Sequence, residues 1–154
     1  MKTVSISIYT IRITNRIGTE HQNVSNFGGG NDLFDTMQSY FQTLHQDIAH
    51  DIERQLLLRV SNLQSSRRTL SGFFEKGEYG IESDLLNIED EALMYEREIT
   101  DAEMLPYYFL VVVPEDTDQA FVVLQKTGVS GVKGTFEIEL RSWFSQQFPE
   151  FRIQ

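Results

Sequence analysis

The stretch YYFLVVVPEDTDQAFVVLQ, residues 107–125, decides the fold class of this chain. Its two apolar runs, 107–113 and 120–125, are rich in the aromatic and β-branched residues that favour strands. Pro114 and the polar residues after it are typical of a turn. The stretch therefore predicts a β-hairpin, and the continuous apolar character of the first run predicts a central strand that is buried on both faces.

The N-terminal segment predicts another strand. Residues 4–14 alternate apolar and polar side chains, but the apolar positions change from even to odd between Ile8 and Tyr9. One face could stay buried throughout only if an extra residue were absorbed there, so we expect a bulge near Ile8. Residues 15–31 lose all periodicity and include Gly28–Gly30, which predicts a mobile glycine-rich loop.

More extended segments lie on both sides of the central hairpin. Residues 56–61 and 67–74 favour two strands joined by a turn at Ser65–Ser66. The composition of residues 75–78 is typical of a tight turn. Residues 151–154 predict either a short edge strand or the opening of a strand in a longer protein. The sequence thus supplies strands throughout its middle and at both ends.

Two amphipathic helices are predicted. The first spans about residues 32–50, with Asn31 or Asp32 as its N-cap, because apolar residues recur there at three- and four-residue steps. The second begins near Thr135, its expected N-cap, and is stopped by Pro149. Alternating residues 136–140 also leave open a strand followed by a shorter helix.

Together these elements predict an α+β fold, a mainly antiparallel sheet of about six to seven strands with two amphipathic helices packed on one face. The 154 residues match the usual size of a single domain, so residues 1–154 are expected to form one. The same segment could serve as the N-terminal domain of a longer protein.

Composition excludes several function classes. The chain has no cysteine, which excludes disulfides, thiolate metal sites and cysteine nucleophiles. The formal charge of −10 disfavours direct binding to nucleic acid or to an anionic membrane. The alternating N-terminus is unlike a signal peptide, so a cytoplasmic location is expected. No motif indicates a cofactor, and no catalytic signature is present.

The charge is concentrated in one segment. Residues 75–103 hold eleven acids against Lys76 and Arg97. Residues 79–88 and 93–99 predict a hairpin whose tip carries the acidic run 89–91. The expected function is a non-enzymatic protein-interaction module that presents this hairpin to a protein with a basic surface. Its predicted contact residues are Glu82, Asp84, Glu89, Asp90, Glu91, Glu96 and Glu98.

Two other functions fit the same acids. Carboxylates at alternate positions on one strand face could mimic phosphates, so the protein could inhibit a nucleic-acid enzyme in a bacterial or phage conflict system. Paired carboxylates could also serve a metal-dependent hydrolase. The acids of the hairpin could also be neutralised within the same molecule, by Arg54, Arg59, Arg67 and Arg68.

A second candidate site is a glycine-rich loop before the closing helix. The N–H groups at a helix N-terminus bind anions, and a lysine could assist them. The spacing lacks the pattern of a phosphate-binding P-loop, and a plain turn is the simpler interpretation. The residues of this possible anion-binding loop are Gly128, Ser130, Gly131, Lys133 and Thr135.

Two further groups of residues have structural interpretations. His45, Asp47, His50 and Asp51 are predicted on the first helix, but histidines five apart do not share a helix face, so a solvated polar face is favoured over a metal site. The aromatic residues could line a ligand pocket, yet their spacing favours a role in the core. These aromatics are Tyr107, Tyr108, Phe109, Phe136, Trp143, Phe144 and Phe148.

Overall fold

A computed structural model describes residues 2–154. These residues form eleven strands and two helices. In chain order they are β1 (Val4–Ile11), β2 (Ile13–Asn15), α1 (Leu33–Gln46), β3 (Ala49–Asp51), β4 (Leu56–Ser66), β5 (Thr69–Glu78), β6 (Ser83–Leu86), β7 (Leu93–Arg97), β8 (Glu103–Val112), β9 (Ala120–Thr127), β10 (Ser130–Gly131), α2 (Lys133–Gln147) and β11 (Phe151–Ile153).

The main sheet has seven strands in the order β1-β9-β8-β5-β4-β3, with β10 added beside β9. Every pairing in it is antiparallel. Two small sheets accompany it, β2 with β11 and β6 with β7. The predicted α+β fold with a mainly antiparallel sheet and two helices is confirmed.

The predicted central hairpin is β8 and β9, in the middle of the main sheet. Its burial alternates along β8, where Tyr107 and Phe109 are buried whereas the side chain of Tyr108 is 37% exposed. The expectation that this strand is buried on both faces was wrong. Helices cover one face of the sheet only, and an antiparallel sheet needs no cover on the other.

Aromatic side chains join both helices to the same sheet face. The ring of Phe41 on α1 lies 4.6 Å from that of Phe109 on β8. Phe74 on β5 lies 4.6 Å from Phe109 and 4.9 Å from Phe136 on α2. Since all four rings are buried, this cluster forms the centre of the core.

No bulge occurs near Ile8. The pairing of β1 with β9 is regular from Val4 opposite Thr127 to Ile11 opposite Ala120. The even-numbered apolar residues of β1 lie on the uncovered face and are exposed, while Ile11 is buried. The prediction failed because it assumed that every apolar position of the strand faces one core.

Strands β4 and β5 are longer than predicted. Their turn lies at Arg67 and Arg68, which both have positive φ, rather than at Ser65–Ser66. The tight turn predicted at residues 75–78 is absent, because β5 continues to Glu78 beside β8. An unpredicted irregularity lies in β4 between Ser61 and Gln64.

Helix α1 begins as predicted and ends early. The carboxylate of Asp32 accepts a hydrogen bond of 2.9 Å from the N–H of Phe34, which makes Asp32 the N-cap. The helix ends at Gln46 instead of residue 50. Residues 49–51 form the edge strand β3, because they pair with β4.

Helix α2 confirms the prediction of a closing helix and excludes a strand at residues 136–140. Its N-cap is Val132, without a side-chain cap, so the predicted capping role of Thr135 was wrong. Thr135 is buried within the first turn. After the helix, Phe151–Ile153 pairs with β2, which confirms a short strand at this position.

The connection between β2 and α1 is held at several points. Val24 and Phe27 are fully buried, and the N–H of Val24 donates to the carbonyl of Thr117 at 2.8 Å. Phe27 and Asn31 exchange two backbone hydrogen bonds around the turn Gly28–Gly30. The mobility expected of residues 15–31 stays a prediction, and residues 15–20 and Gly28–Gly30 are exposed on either side of these contacts.

Candidate functional site: an acidic arm

Residues 79–102, here called the acidic arm, connect the end of β5 to the start of β8, two neighbouring strands inside the main sheet. Strands β6 and β7 pair only with each other, as the sequence predicted for a hairpin. The side chains of residues 82–96 are exposed except for that of Asn87, which is half-buried. A two-stranded hairpin with both faces in water is only marginally stable, so packing against another surface would stabilise the arm.

The base of the arm is tied to the sheet. The N–H of Gly80 donates to the carbonyl of Ile99 at 2.8 Å. The guanidinium of Arg97 donates to the carbonyl oxygens of Glu78 and Asp101. Within residues 78–103 Arg97 is the only cation in the sequence. Its donors at these two bonds are directed at backbone carbonyls, and it forms no ion pair with a carboxylate of the described residues.

A tyrosine adds a second tie at the base. The hydroxyl of Tyr95 donates to Oδ2 of Asp101 at 2.6 Å, and the N–H of Glu98 donates to the same oxygen at 3.0 Å. The hydrogen bond from Tyr95, followed by that from the Glu98 N–H, lowers the pKa of Asp101 below its ordinary value. Asp101 therefore stays ionised as a structural anchor, and it stands apart from the predicted contact residues.

Four of the predicted contact residues meet on one face of the arm, here called the acid face: Glu82, Asp84, Glu96 and Glu98. Asp84 lies directly opposite Glu96 in the β6–β7 register. Glu82 and Glu98 lie two positions nearer the base, just outside β6 and β7, and all four acids line one open groove together with Arg97. The acid face therefore carries four carboxylates, of which Asp84 and Glu96 are placed opposite each other by the strand register.

The other three predicted contact residues lie at the tip. The carboxylate of Asp90 accepts a hydrogen bond from the N–H of Ala92 at 2.9 Å, so it helps to shape the turn. Glu91 has a positive φ in the same turn. Glu89 and Glu91 project without a side-chain hydrogen bond among residues 2–154. The structure therefore divides the predicted set into a tip group and the acid face.

The arginines of residues 54–68 do not neutralise the arm. Arg54 pairs with Asp51 at 2.6 Å and Arg59 pairs with Glu75 on β5. Arg68 pairs with Asp32 at 2.7 Å. Across residues 2–154 none of the seven predicted contact acids takes part in an ion pair. The negative charge of the arm is left for solvent or a partner.

Sequence reasoning missed the apolar side of the arm. Leu85 lies opposite Tyr95 on the face that turns away from the acid face, and each side chain is 48% exposed. The signal was present, since Asp84 and Leu85 must point to opposite faces of one strand. A partner that held the arm could therefore contact carboxylates on one side and apolar surface on the other.

The residues of the glycine loop lie close together, but their polar groups do not converge on one point. Ser130 and Gly131 form β10 and fold back on Thr127 and Lys126. The hydroxyl of Ser130 bonds that of Tyr107, and the carbonyl of Gly131 accepts from Lys76 Nζ at 3.2 Å. Gly128 takes the positive φ that the turn requires.

The lysine of that loop already has a carboxylate partner. Lys133 Nζ lies 2.9 Å from Glu137, one helical turn along α2. The hydrogen bond to Glu137 raises the pKa of Lys133, because the bond favours the charged amine. Anion binding by Gly128, Ser130, Gly131, Lys133 and Thr135 stays a prediction that no observed contact supports.

The residues proposed to share the first helix are divided between two elements. His45 is on α1 and its Nδ1 lies 3.0 Å from the carbonyl oxygen of Val60. Asp47 is the C-cap of α1, and His50 and Asp51 lie on β3. The prediction that all four residues lie on the first helix was wrong, because that helix ends at Gln46. Within residues 2–154, no three histidine, aspartate or glutamate side chains converge in a metal-binding geometry.

Most of the aromatic candidates belong to the core. Tyr107, Phe109, Phe136 and Phe144 are buried, and Trp143 and Phe148 pack partly against them. Tyr108 differs, because it lies on the uncovered sheet face. A small cavity of about 220 Å³ between β1, β9 and α2 is lined by apolar side chains and by Lys133, Glu137 and Arg141, whose charges pair with each other.

Comparison with known proteins gives no relative of this chain. No protein-family model, no curated protein and no solved structure matches it. Over residues 2–154, no helix is both long and apolar enough to cross a membrane.

Proposed function

We propose that the chain is a non-enzymatic interaction module whose acidic arm binds a basic surface of another protein. One observation carries this proposal, namely that among residues 2–154 the seven predicted contact acids form no ion pair. Asp84 and Glu96 repel each other across the strand pair, and a cationic side chain placed between them would remove that cost. Charge of this density also steers a basic partner toward the arm.

The apolar side of the arm supports the same role. Exposed carboxylates supply orientation and fast association, but buried apolar contacts supply most of the free energy of binding. Leu85 and Tyr95 offer such contacts on the face of the same two strands opposite the acid face. A partner with a cationic groove bordered by apolar side chains would engage both sides.

A second candidate, a phosphate mimic, is favoured by the arrangement of the acid face. Its four carboxylates line one groove, and Asp84 and Glu96 lie directly opposite each other across the strand pair. A group of carboxylates held together in this way could occupy the cleft of a nucleic-acid enzyme. The two candidates share the acid face and differ only in whether the partner's basic surface also binds DNA or RNA.

The proposal is tested by affinity capture from a bacterial lysate at about 50 and 300 mM salt, a range over which screened charge contacts weaken. The expected result is a protein with a basic surface that is retained at low salt and released at high salt. Capture that does not change with salt, or no specific capture, would overturn the proposal. Competition by duplex DNA at low salt would identify the partner as a nucleic-acid-binding protein, and absence of competition would exclude the mimic.

A further inference from the structure

Strand β1 forms one edge of the main sheet, and no other segment of residues 2–154 pairs with its outer backbone groups over most of its length. The carbonyl of Thr3 accepts from Gly128, on the β9 side. Arg12 exchanges two backbone hydrogen bonds with Gln154, on the opposite side. Backbone groups of alternate residues point to opposite edges of a strand. The even-numbered residues between these two points therefore direct their N–H and C=O groups away from the sheet.

This edge lacks the features that normally block strand pairing. Natural edges carry charges, prolines or bulges, or are very short. Between Lys2 and Arg12 the sequence has none of the first two, and the β1–β9 register is regular. The side chains of Val4, Ile6 and Ile8 are 61%, 64% and 67% exposed on the uncovered sheet face. An eight-residue, uncharged, β-branched edge of this kind is suited to pair with another strand.

The opposite edge of the same sheet is protected. Strand β3 has three residues and carries Asp51. Beyond it, β4 presents Arg59 and the irregularity between Ser61 and Gln64, where Asn62 has a positive φ. A head-to-tail assembly of β1 with the β3 edge is therefore disfavoured. An unprotected edge that pairs with its own copy instead closes into a two-fold dimer.

We infer that β1 is the interface of a homodimer, in which the β1 strands of two copies pair antiparallel about a two-fold axis at Ile6. Gln154 occupies the edge at Arg12, so the copy can extend only as far as the residues before it. A centre at Ile6 meets this limit, with Val4 opposite Ile8 of the second copy and Lys2 opposite Thr10. A centre at Ser7 would place Lys2 against Arg12, which repels it and is already paired.

Pairing in this register joins two main sheets into one and brings β-branched side chains of both copies side by side on the uncovered face. Each acidic arm precedes β8, at the end of the sheet where β1 begins. Antiparallel pairing would thus place the two acidic arms at opposite ends of the joined sheet. The dimer does not depend on what the arms bind, so the two proposals can fail separately.

Sedimentation of the purified chain tests the dimer directly. Wild type is expected to sediment as a dimer at high concentration and to dissociate on dilution. Ile6→Lys would place two like charges opposite each other, and Ile6→Pro would remove an outward donor that β9 does not use. Both variants are expected to be monomers with unchanged circular dichroism, whereas Ile138→Lys on exposed α2 stays dimeric. A monomeric wild type, or a dimer that survives both Ile6 variants, would overturn the inference.

Because the chain has no cysteine, cross-linking tests the register. Residues opposite each other in a hydrogen-bonded antiparallel pair have Cα atoms about 5.5 Å apart, within reach of a disulfide. Ile6→Cys is expected to form a covalent dimer on mild oxidation. Val4→Cys alone is the matched control, since it faces Ile8 of the second copy and lies too far from its own equivalent. Equal cross-linking of Ile6→Cys and Val4→Cys would contradict pairing at Ile6.

Discussion

Asp84 and Glu96 lie directly opposite each other across the β6–β7 pair, and neither forms an ion pair with another described residue. Like charges at this position weaken strand pairing. A sequence under selection for hairpin stability alone would place an opposite charge or a β-branched residue there. The repulsion between these carboxylates thus destabilises the arm, and binding of a basic surface would replace it with attraction.

Neutralising one of these acids should tighten the arm. Asp84→Asn keeps the side-chain shape and removes the repulsion, so we expect slower amide hydrogen exchange at Leu85 and Tyr95. Ser83→Asn, on the other face of the same strand, is the control and should leave these rates unchanged. Unchanged or faster exchange in Asp84→Asn would show that the two carboxylates do not interact.

The Asp32–Arg68 pair should make stability depend on pH. Burial raises the pKa of Asp32, but hydrogen bonds from Arg68 and from the Phe34 N–H outweigh it, and the folded pKa lies below 3.8. A depressed folded pKa stabilises the protein above the unfolded value, and this contribution is lost as the pH falls through the folded pKa. Urea unfolding should show that Asp32→Asn is less stable than wild type at about pH 6, with the difference shrinking below about pH 4. A difference that stays constant with pH would contradict this role.

The β4–β5 turn offers a stabilising substitution. Arg67 has φ 46° and no side-chain hydrogen bond or ion pair among residues 2–154, so its left-handed backbone is uncompensated. Arg67→Asn should raise the free energy of unfolding by about 0.5–1 kcal/mol, because Asn tolerates this conformation. Arg68→Asn at the next position should lower it, since the ion pair with Asp32 is lost. Thermal unfolding of both variants measures the contrast, and equal effects would contradict it.

Removal of an aromatic ring from the centre of the core should destabilise the fold. Phe74 is fully buried and lies within 5 Å of the rings of both Phe109 and Phe136. Phe74→Ala should lower the free energy of unfolding by about 3–5 kcal/mol, because it leaves a cavity between the sheet and both helices. Phe73→Ala on the uncovered face is the control and should cost clearly less in urea unfolding. Equal losses would mean that the two sheet faces are equally buried.

The fold class was predictable because the spacing of apolar residues along the sequence reflects which side chains are buried. The run at residues 107–125 and the apolar spacing after Asp32 are set by one buried face, and both elements formed as expected. The predictions of a bulge at Ile8 and of a β8 strand buried on both faces failed for the same reason. Nothing local in a sequence tells which apolar positions face a sheet surface that no helix covers.

The candidate site was predictable in part. The runs 79–88 and 93–99 on either side of the acidic residues 89–91 indicated a hairpin, and the register places Asp84 opposite Glu96 on one of its faces. Whether Arg54–Arg68 would neutralise it depended on long-range contacts, such as Arg68 reaching Asp32. The role of Arg97 at the base was not readable either, because its acceptors are backbone carbonyls.

Binding through the acid face is tested by the affinity of the captured partner for two variants that each lose four negative charges. One variant neutralises the acid face with Glu82→Gln, Asp84→Asn, Glu96→Gln and Glu98→Gln. The other neutralises exposed acids elsewhere, with Glu20→Gln, Glu53→Gln, Glu115→Gln and Glu150→Gln. We expect the acid-face variant to bind at least about tenfold more weakly than wild type while the control variant changes little. Equal affinities of the two variants would contradict binding through the acid face, because net charge alone would then explain the binding.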